Sequence, residues 1–214
     1  MFTGIVQANV KVSTVLKKQE LTNFGLAFPD DLLTGLEIGA SIAVDGACMT
    51  TTQIGDDKQV YFDAMQETLQ RTTLGQIEIG KTVNVERSFK VGDEVGGHIL
   101  SGHVHDMAEI SELNTSIPNN HIITFKAPHH LMKYIFSKGY VALDGVSLTM
   151  VDVNKTEETF TVYLIPETLK RTTFGFKRKG DRVNIEIDTQ TQAIVETVER
   201  VLAEKHLINE ERTA

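Results

Sequence analysis

The side chains best suited to chemistry in this sequence occur in two short polar patterns. Cys48 and Thr50 stand two residues apart in one segment, and Ser147 and Thr149 do so in another. Residues two apart on a β-strand point to the same face, so each pair would present two polar groups together. Polar groups that face the inside of a β-structure are costly to bury unless something hydrogen-bonds to them. The two pairs therefore indicate a site for a polar ligand.

Histidines form the next candidate group. On a strand, Ser101, His103 and His105 would share one face. Two imidazoles, with Cys48 or a carboxylate as a third ligand, are compatible with a metal site. However, no HExxH or CxxC motif accompanies them, and a structural or a general acid–base histidine is the other interpretation. We expect no metal, and Cys48, as the only cysteine, excludes an internal disulfide.

Both polar pairs belong to a sequence that recurs about one hundred residues later. An internal repeat of this kind predicts two copies of one structural unit. The copies differ where chemistry is expected, since Ile5 and Cys48 in the first copy correspond to His103 and Ser147 in the second. The matched blocks are residues 2–6 with 100–104, 28–29 with 127–128, 42–50 with 141–149, 67–75 with 167–175, and 83–86 with 183–186.

Short β-strands must position these residues in each copy. β-Branched and aromatic runs, period-two alternation and Asp-Gly turns predict strands at 40–44, 59–63 and 82–86 and at 139–143, 159–164 and 182–187. Short strands with glycine-rich turns favour a small closed antiparallel barrel. Residues 67–70 and 167–170 are predicted to form a short helical cap on each barrel.

The end of the chain has no counterpart in the first copy. Between Thr191 and Leu207, apolar residues recur at helical spacing, which predicts an amphipathic helix that packs on its own barrel or on a neighbouring subunit. The glycine-rich stretch 87–97 is the predicted connector. The predicted domains are therefore residues 1–90, 98–188 and 189–214. The apolar positions of the helix are Ile194, Val198, Val201 and Leu202.

Composition excludes several classes of function. The formal net charge of −8 disfavours nucleic acid as a partner. No run approaches the ~18 apolar residues of a membrane helix, and the first residues lack a secretory pattern, so we expect a cytoplasmic protein. The sequence has no GxGxxG after a strand, so a dinucleotide-binding fold is not expected. It also lacks the GxSxG motif and a phosphate-binding Gly-Lys-Ser/Thr loop.

The combined motifs resemble riboflavin synthase of the alpha-chain type from Met1 to about Leu202. They are the opening residues 1–6, the paired Asp-Gly-x-Cys/Ser-x-Thr blocks, residues 96–103 and the paired Glu-Thr-Leu-x-Arg-Thr-Thr blocks. The resemblance implies an all-β fold of two tandem pseudo-symmetric six-stranded Greek-key antiparallel barrels plus a C-terminal α-helix. It also implies a homotrimer assembled through those helices.

The activity that the resemblance implies is a dismutation. Each barrel would bind one 6,7-dimethyl-8-ribityllumazine. The working site would lie between the N-terminal barrel of one subunit and the C-terminal barrel of its neighbour. One molecule would give a four-carbon unit to the other, forming riboflavin and 5-amino-6-ribitylaminouracil without cofactor or metal. Association with lumazine synthase is a further partnership to be tested. A lumazine- or flavin-binding antenna protein and a flavin-dependent oxidoreductase are the competing interpretations.

The resemblance also implies site residues. Cys48, His103, Ser147 and Thr149 are the candidate catalytic residues. The candidate substrate-binding residues in the first copy are Gly4, Ile5, Val6, Cys48, Met49, Thr50, Asp63, Ala64, Met65, Gln66, Glu67 and Thr68. Those in the second copy are Gly102, His103, Val104, Lys138, Ser147, Leu148, Thr149, Ile165, Pro166, Glu167 and Thr168. Met49 and Thr51 depart from an aliphatic pair that is usual in the family.

Overall fold

The first copy folds into a closed six-stranded antiparallel barrel. This is seen in a computed structural model that describes residues 1–116 and 120–213, with side chains of the last helix up to residue 205. The strands are hydrogen-bonded in the Greek-key order β1-β2-β5-β4-β3-β6. They are β1 (Ala8–Lys18), β2 (Leu21–Ala27), β3 (Ser41–Val44), β4 (Ala47–Ile54), β5 (Gln59–Met65) and β6 (Thr82–Arg87).

Alternating apolar residues fill this barrel. On β2 and β5, Phe24 faces Phe62 across the ladder, and their rings stack with centroids 5.5 Å apart. Helix α1 (Asp30–Leu33) covers one end, and α2 (Gln66–Arg71) follows β5 directly. Helix α2 is the predicted cap of the first copy, and its counterpart in the second copy is α3 (Pro166–Arg171).

The second copy repeats the barrel with one strand interrupted. Its strands are β7 (Asp106–Asn114), β8 (His121–Lys126), β9 (Tyr140–Leu143), β10 (Val146–Thr149), β11 (Val153–Asn154), β12 (Thr159–Leu164) and β13 (Arg182–Ile187). The ladder runs β10-β9-β13-β7-β8-β12-β11, so β10 and β11 are its two ends. Residues 150–152 join these ends and bond to both neighbours, Met150 to Gly139 and Val151 to Thr161.

The interruption corresponds to a register shift in the first copy. There β4 is one strand, but its pairing with β5 shifts between Thr51 and Gln53. The strand pairs with β3 through its first half and with β5 through its second half, so it must bend where it changes partner. Such irregularities are common at barrel corners. The predicted pair of Greek-key barrels is confirmed, with this corner irregular in both copies.

Two extended segments cross between the copies. The N-terminal crossing segment (residues 2–6) places Val6 in the core of the second copy. The central crossing segment (residues 100–104) places Val104 against the core of the first. Phe2 and Leu100 join the two segments by reciprocal backbone hydrogen bonds of 2.9 Å. Each copy therefore covers part of the other.

The two Asp-Gly turns meet at the centre of the molecule. Asp45 and Gly46 have φ of 44° and 81°, and Asp144 and Gly145 have 44° and 78°, values that suit a tight hairpin turn. A Cβ built on Gly46 would lie 2.6 Å from the backbone nitrogen of Gly145. Glycine is therefore required for the turns to touch.

A buried polar network surrounds these turns. The Asn84 side chain donates to the Asp144 carbonyl oxygen at 2.9 Å, and its own carbonyl oxygen accepts from Thr173 N at 2.8 Å. Asn184 makes the matching contacts with the Asp45 carbonyl and Thr73 N. Because each asparagine reaches into the other copy, the network fixes the two barrels in one relative orientation.

The last helix, α4 (Thr189–Thr213), is attached to the second barrel by its first half. Val195 packs against that core, and the Tyr134 hydroxyl donates to Glu196 at 2.8 Å. The apolar positions predicted for this helix, Ile194, Val198, Val201 and Leu202, are all exposed on the chain. Among the described residues, no helix is both long and apolar enough to cross a bilayer. Ala214, at the end of the predicted third domain, lies outside the described residues.

Candidate functional site

A cavity of about 240 Å³ lies between α2, the start of β4 and the central crossing segment. We call it the first cavity. It brings together six of the predicted site residues: Cys48, Glu67, Thr68, Gly102, His103 and Val104. A wider groove of about 460 Å³ continues from it towards α4. The first cavity therefore combines a thiol, an imidazole and several hydrogen-bonding groups.

One wall of the first cavity comes from the second copy. Cys48 N donates to the Gly102 carbonyl oxygen at 2.8 Å, which fixes the crossing segment against β4. Gly102 has φ of 81°, and a Cβ built on it would lie 2.6 Å from the Cys48 Cβ. The segment can approach the cysteine this closely only because residue 102 is glycine.

Glu186 on β13 anchors that wall. Its buried carboxylate accepts from the Ser101 backbone N and the Ser101 hydroxyl, both at 2.7 Å, and from Gly102 N at 3.1 Å. The Ser101 hydroxyl in turn accepts from His103 N at 3.0 Å. Burial raises the pKa of Glu186, and these donated hydrogen bonds oppose that rise.

The second copy has a related arrangement around Ser147, which we call the second site. Ser147 N donates to the Gly4 carbonyl oxygen at 2.9 Å, so the N-terminal crossing segment takes the place of the central one. Glu86 on β6 anchors it by accepting from Thr3 N at 2.6 Å, the Thr3 hydroxyl at 2.7 Å and Gly4 N at 3.1 Å. Burial likewise raises the pKa of Glu86.

The second site has a neighbour that the sequence prediction missed. His98, not His103, lies beside Ser147, with Nδ1 2.6 Å from the hydroxyl oxygen. The ring stacks on Tyr140 at 5.1 Å between centroids, and burial lowers its pKa. A Cβ on the preceding Gly97 would lie 2.6 Å from the Ser147 Cβ. The end of the connector thus covers the second site.

Most of the other predicted residues fall into two groups, and Ile5 is exposed on the N-terminal crossing segment. Asp63, Met65 and Gln66 are exposed at the end of β5 and the start of α2, and Ile165, Pro166 and Glu167 are exposed at the matching place. Hydrogen bonding from Arg171 lowers the pKa of Glu167. Side chains in the second group, Val6, Met49, Ala64 and Leu148, lie in the barrel cores, so only their backbone is available to a ligand.

Four predicted polar residues remain to be placed, of which Thr168 is half-buried on α3. Thr50 and Thr149 are exposed at the ends of the two polar pairs. Lys138 is exposed just before β9, with φ of 67° and its backbone N bonded to the Met150 carbonyl oxygen at 2.8 Å. Ser147, Thr149 and Lys138 do not line the first cavity with Cys48 and His103. Within one chain, the two sets of candidate catalytic residues are therefore separate.

The predicted histidine group is not arranged as a set of metal ligands. In the described part of the chain, no three His, Cys, Asp or Glu side chains come together as a set that could hold a metal ion. His105 instead contacts the Gln192 side chain at 3.0 Å through Nε2 and receives the Ile187 N–H at Nδ1. Both ring nitrogens of His105 therefore have protein partners.

A lumazine binding domain model matches the chain twice, at residues 3–88 and 101–188. The riboflavin synthase of Escherichia coli (strain K12) is 52% identical over 204 residues, covering 95% of this chain and 94% of that protein. The chain belongs to the riboflavin synthase family. Another member, from Buchnera aphidicola subsp. Schizaphis graminum, is 46% identical with 94% and 96% coverage. The member from Chlamydia pneumoniae is 45% identical with 95% and 98% coverage.

Solved structures of a related fold contain ligands. The structure of LumP with 6,7-dimethyl-8-(1'-D-ribityl) lumazine has a TM-score of 0.79 and 27% identity. LumP with riboflavin has a TM-score of 0.80 and 28% identity. Each comparison covers 88% of this chain and all of LumP. The family's two-barrel fold is therefore shared with a protein that holds lumazine and flavin ligands.

Proposed function

We propose that this chain is a transferase that dismutates two molecules of 6,7-dimethyl-8-ribityllumazine. One molecule loses a four-carbon unit to the other, which yields riboflavin and 5-amino-6-ribitylaminouracil. The observation that carries the proposal is the first cavity, where Cys48, His103 and Thr68 meet in a chain that matches the lumazine-binding model twice. No cofactor or metal takes part in the proposed reaction.

The crossing segments suit a flat heterocycle with amide edges. Backbone groups of residues 4–6 and 102–104 can pair with such edges, and the glycines allow close approach. The ribityl chain is a polyol and needs polar partners. We assign that role to Asp63, Glu67 and Thr68 in the first copy, and to Lys138, Glu167 and Thr168 in the second.

Proximity supplies much of the proposed catalysis. Holding two reactants in good alignment can lower the activation barrier by on the order of 7–11 kcal/mol relative to their free encounter in solution. The reaction also needs a proton removed from an acidic methyl group. We assign His103 as the acid–base group, assisted by Ser147 and Thr149, and Cys48 as a nucleophile or its orienting group.

The separation of the two catalytic sets supports a site shared between subunits. Within one chain, Cys48 and His103 lie in the first cavity, whereas Ser147 is beside His98. If the first cavity of one subunit faces the second site of its neighbour, two bound rings can stack across the junction. We propose that a homotrimer held by α4 creates this junction, because the apolar stripe of α4 is uncovered on the chain.

The catalytic roles lead to a direct test. We expect His103→Gln and Cys48→Ser to form riboflavin from the lumazine at least about tenfold more slowly, since general acid–base catalysis typically contributes 10²–10⁴-fold. The assay is the initial rate of riboflavin fluorescence with purified protein and no additives. His129→Gln is the matched control, because His129 is a surface histidine paired with Glu158. Parent rates in both site variants would contradict the assigned roles.

The second candidate function is binding without turnover. LumP, of the same fold, holds lumazine, riboflavin and flavin mononucleotide. The same assay separates the candidates, because a binding protein would shift the fluorescence of the lumazine without producing riboflavin. A flavin-dependent oxidoreductase would do nothing until a reduced nicotinamide was added.

Two further assignments complete the proposal. We place the protein in the cytoplasm, as suits an enzyme of small-molecule biosynthesis. Lumazine synthase is the proposed protein partner, and sedimentation of the two purified proteins together tests it. Nucleic acid is not among the proposed partners, because the net charge of the chain is −8.

A further inference from the structure

Each ligand site has a buried glutamate behind it that belongs to the opposite copy from the site's own barrel. Glu186 is on β13 of the second copy, yet it holds the wall of the first cavity. Glu86 is on β6 of the first copy, yet it holds the segment against Ser147. We propose that Glu186 and Glu86 are positioning residues for the reaction, each acting on the site of the other copy. This inference rests on the proposed function.

The carboxylate of Glu186 holds three consecutive backbone N–H groups, two by direct hydrogen bonds and one through a side-chain hydroxyl. It accepts directly from Ser101 and Gly102, and it orients the Ser101 hydroxyl, which accepts from His103 N. These residues lie outside any regular strand. Apart from the Cys48 contact and the Phe2–Leu100 bridge, the central crossing segment, residues 100–104, makes no backbone–backbone hydrogen bonds to other described residues. The position of His103 in the first cavity therefore depends on Glu186.

Glu86 repeats this geometry but positions a different residue. It accepts from Thr3 and Gly4, and the Thr3 hydroxyl accepts from Ile5 N at 3.3 Å. The carboxylate and the hydroxyl are thus retained in both copies, whereas the residue they position is Ile5 in one and His103 in the other. A common device that presents different side chains is expected if its task is to place the ligand wall.

Glutamine is the informative replacement at both positions. It keeps the size of glutamate but offers only one acceptor oxygen, and its NH₂ would face N–H donors. Hydrogen bonds to charged groups are stronger than neutral ones, and a buried donor left without a partner is costly. We expect the wall next to the substituted residue to shift, and the other wall to keep its place.

The sole cysteine makes the first cavity separately observable. Riboflavin, the non-reacting product, should protect Cys48 of the full chain from alkylation when it occupies that cavity. We expect Glu186→Gln to require at least about tenfold more riboflavin for half-protection and to lower kcat as well. The twin Glu86→Gln should leave the protection curve unchanged but still lower turnover. Glu186→Asp should restore part of the protection.

The outcomes are distinct. Equal shifts of the protection curve in both glutamine variants, or none in Glu186→Gln, would overturn the proposal. Absence of protection in the parent protein would instead contradict the proposed function itself. Circular dichroism and thermal unfolding show whether each variant folds. If the glutamine variants do not fold, Ser101→Ala and Thr3→Val replace them as the pair, with the same expected asymmetry.

Discussion

At the scale of single residues, the sharpest constraint is the absence of a side chain at position 102. Gly102 has positive φ, and any Cβ there would lie 2.6 Å from the Cys48 Cβ and 2.8 Å from the Phe2 ring. A side chain at this position would have two separate effects. The positive φ would strain the backbone and lower the stability of the fold, whereas the clash would displace the wall of the first cavity.

We expect Gly102→Ala to reduce riboflavin formation by at least about tenfold, since it combines positive-φ strain with displacement of the cavity wall. Gly80→Ala is the matched control: Gly80 has φ of 88°, but nothing lies within 4 Å of its added Cβ. Initial rates and thermal midpoints of the two variants separate strain from clash. Equal losses of activity in both would show that the close contact with Cys48 is unimportant.

Sequence reasoning found the residues of the first cavity but not what holds them. Among the residues that the repeat and the family motifs predicted are Cys48, Glu67, Thr68 and His103. Glu86 and Glu186 recur in the matched strands, and a polar residue kept in both copies of a buried strand was an available signal. Their partners Thr3 and Ser101 are 83 and 85 residues away. Spacing alone cannot pair residues so distant.

At the scale of elements, local patterns predicted three strands in each copy, which are β3, β5 and β6 in the first and β9, β12 and β13 in the second. Turns and alternation are local properties, so these strands could be found from the sequence. The first two strands of each barrel followed only from the resemblance. The Asp-Gly turns end β3 and β9, and the two short helical caps are present. The break between β10 and β11 was not predicted. It arises where one strand changes partners at a barrel corner, and that depends on which strands are neighbours in space.

The apolar stripe of α4 leads to a prediction about assembly. We expect Val198→Glu to weaken the oligomer, because it places a charge among exposed apolar residues that would otherwise be buried between subunits. Light scattering after gel filtration measures the mass, and riboflavin formation should fall with it. Arg200→Glu, on the opposite face of the helix, is the control. If Val198→Glu kept the parent's mass and activity, the proposed role of α4 in assembly would be contradicted.

At the scale of the whole molecule, the junction between the barrels carries an unbalanced set of charges. Asp45 and Asp144 are both buried, and Lys177 pairs with Asp144 at 2.7 Å between Nζ and Oδ2. The residue matched to Lys177 in the first copy is Ile77, so among the described residues only Lys177 forms an ion pair with either carboxylate. Burial and the nearby Asp144 raise the pKa of Asp45 to about 7, against the opposing effects of Lys177 and Lys81.

This raised pKa predicts a pH dependence of stability. Between pH 3.8 and about 7, the folded state retains a proton on Asp45 that the unfolded state has released, so the free energy of unfolding falls as pH rises. We expect Asp45→Asn to be more stable than the parent at pH 8, with a smaller difference at pH 5. Asparagine tolerates the positive φ and keeps the acceptor for Asn84 N.

Urea unfolding at the two pH values measures the effect. Asp144→Asn is the opposing control, since it leaves Lys177 buried without its counter-ion and should destabilise the protein. A constant difference between Asp45→Asn and the parent across this range would mean that Asp45 does not titrate there.

The crossing segments have a consequence for how the two halves of the gene can evolve. Because residues 2–6 complete one site and residues 100–104 complete the other, neither half of the gene encodes an entire binding surface. A change selected in one half alters the ligand wall of the other, so the halves cannot drift apart freely. Chimaeras that join the halves of two relatives would therefore test compatibility at both walls at once, even though the graft point lies in an exposed connector.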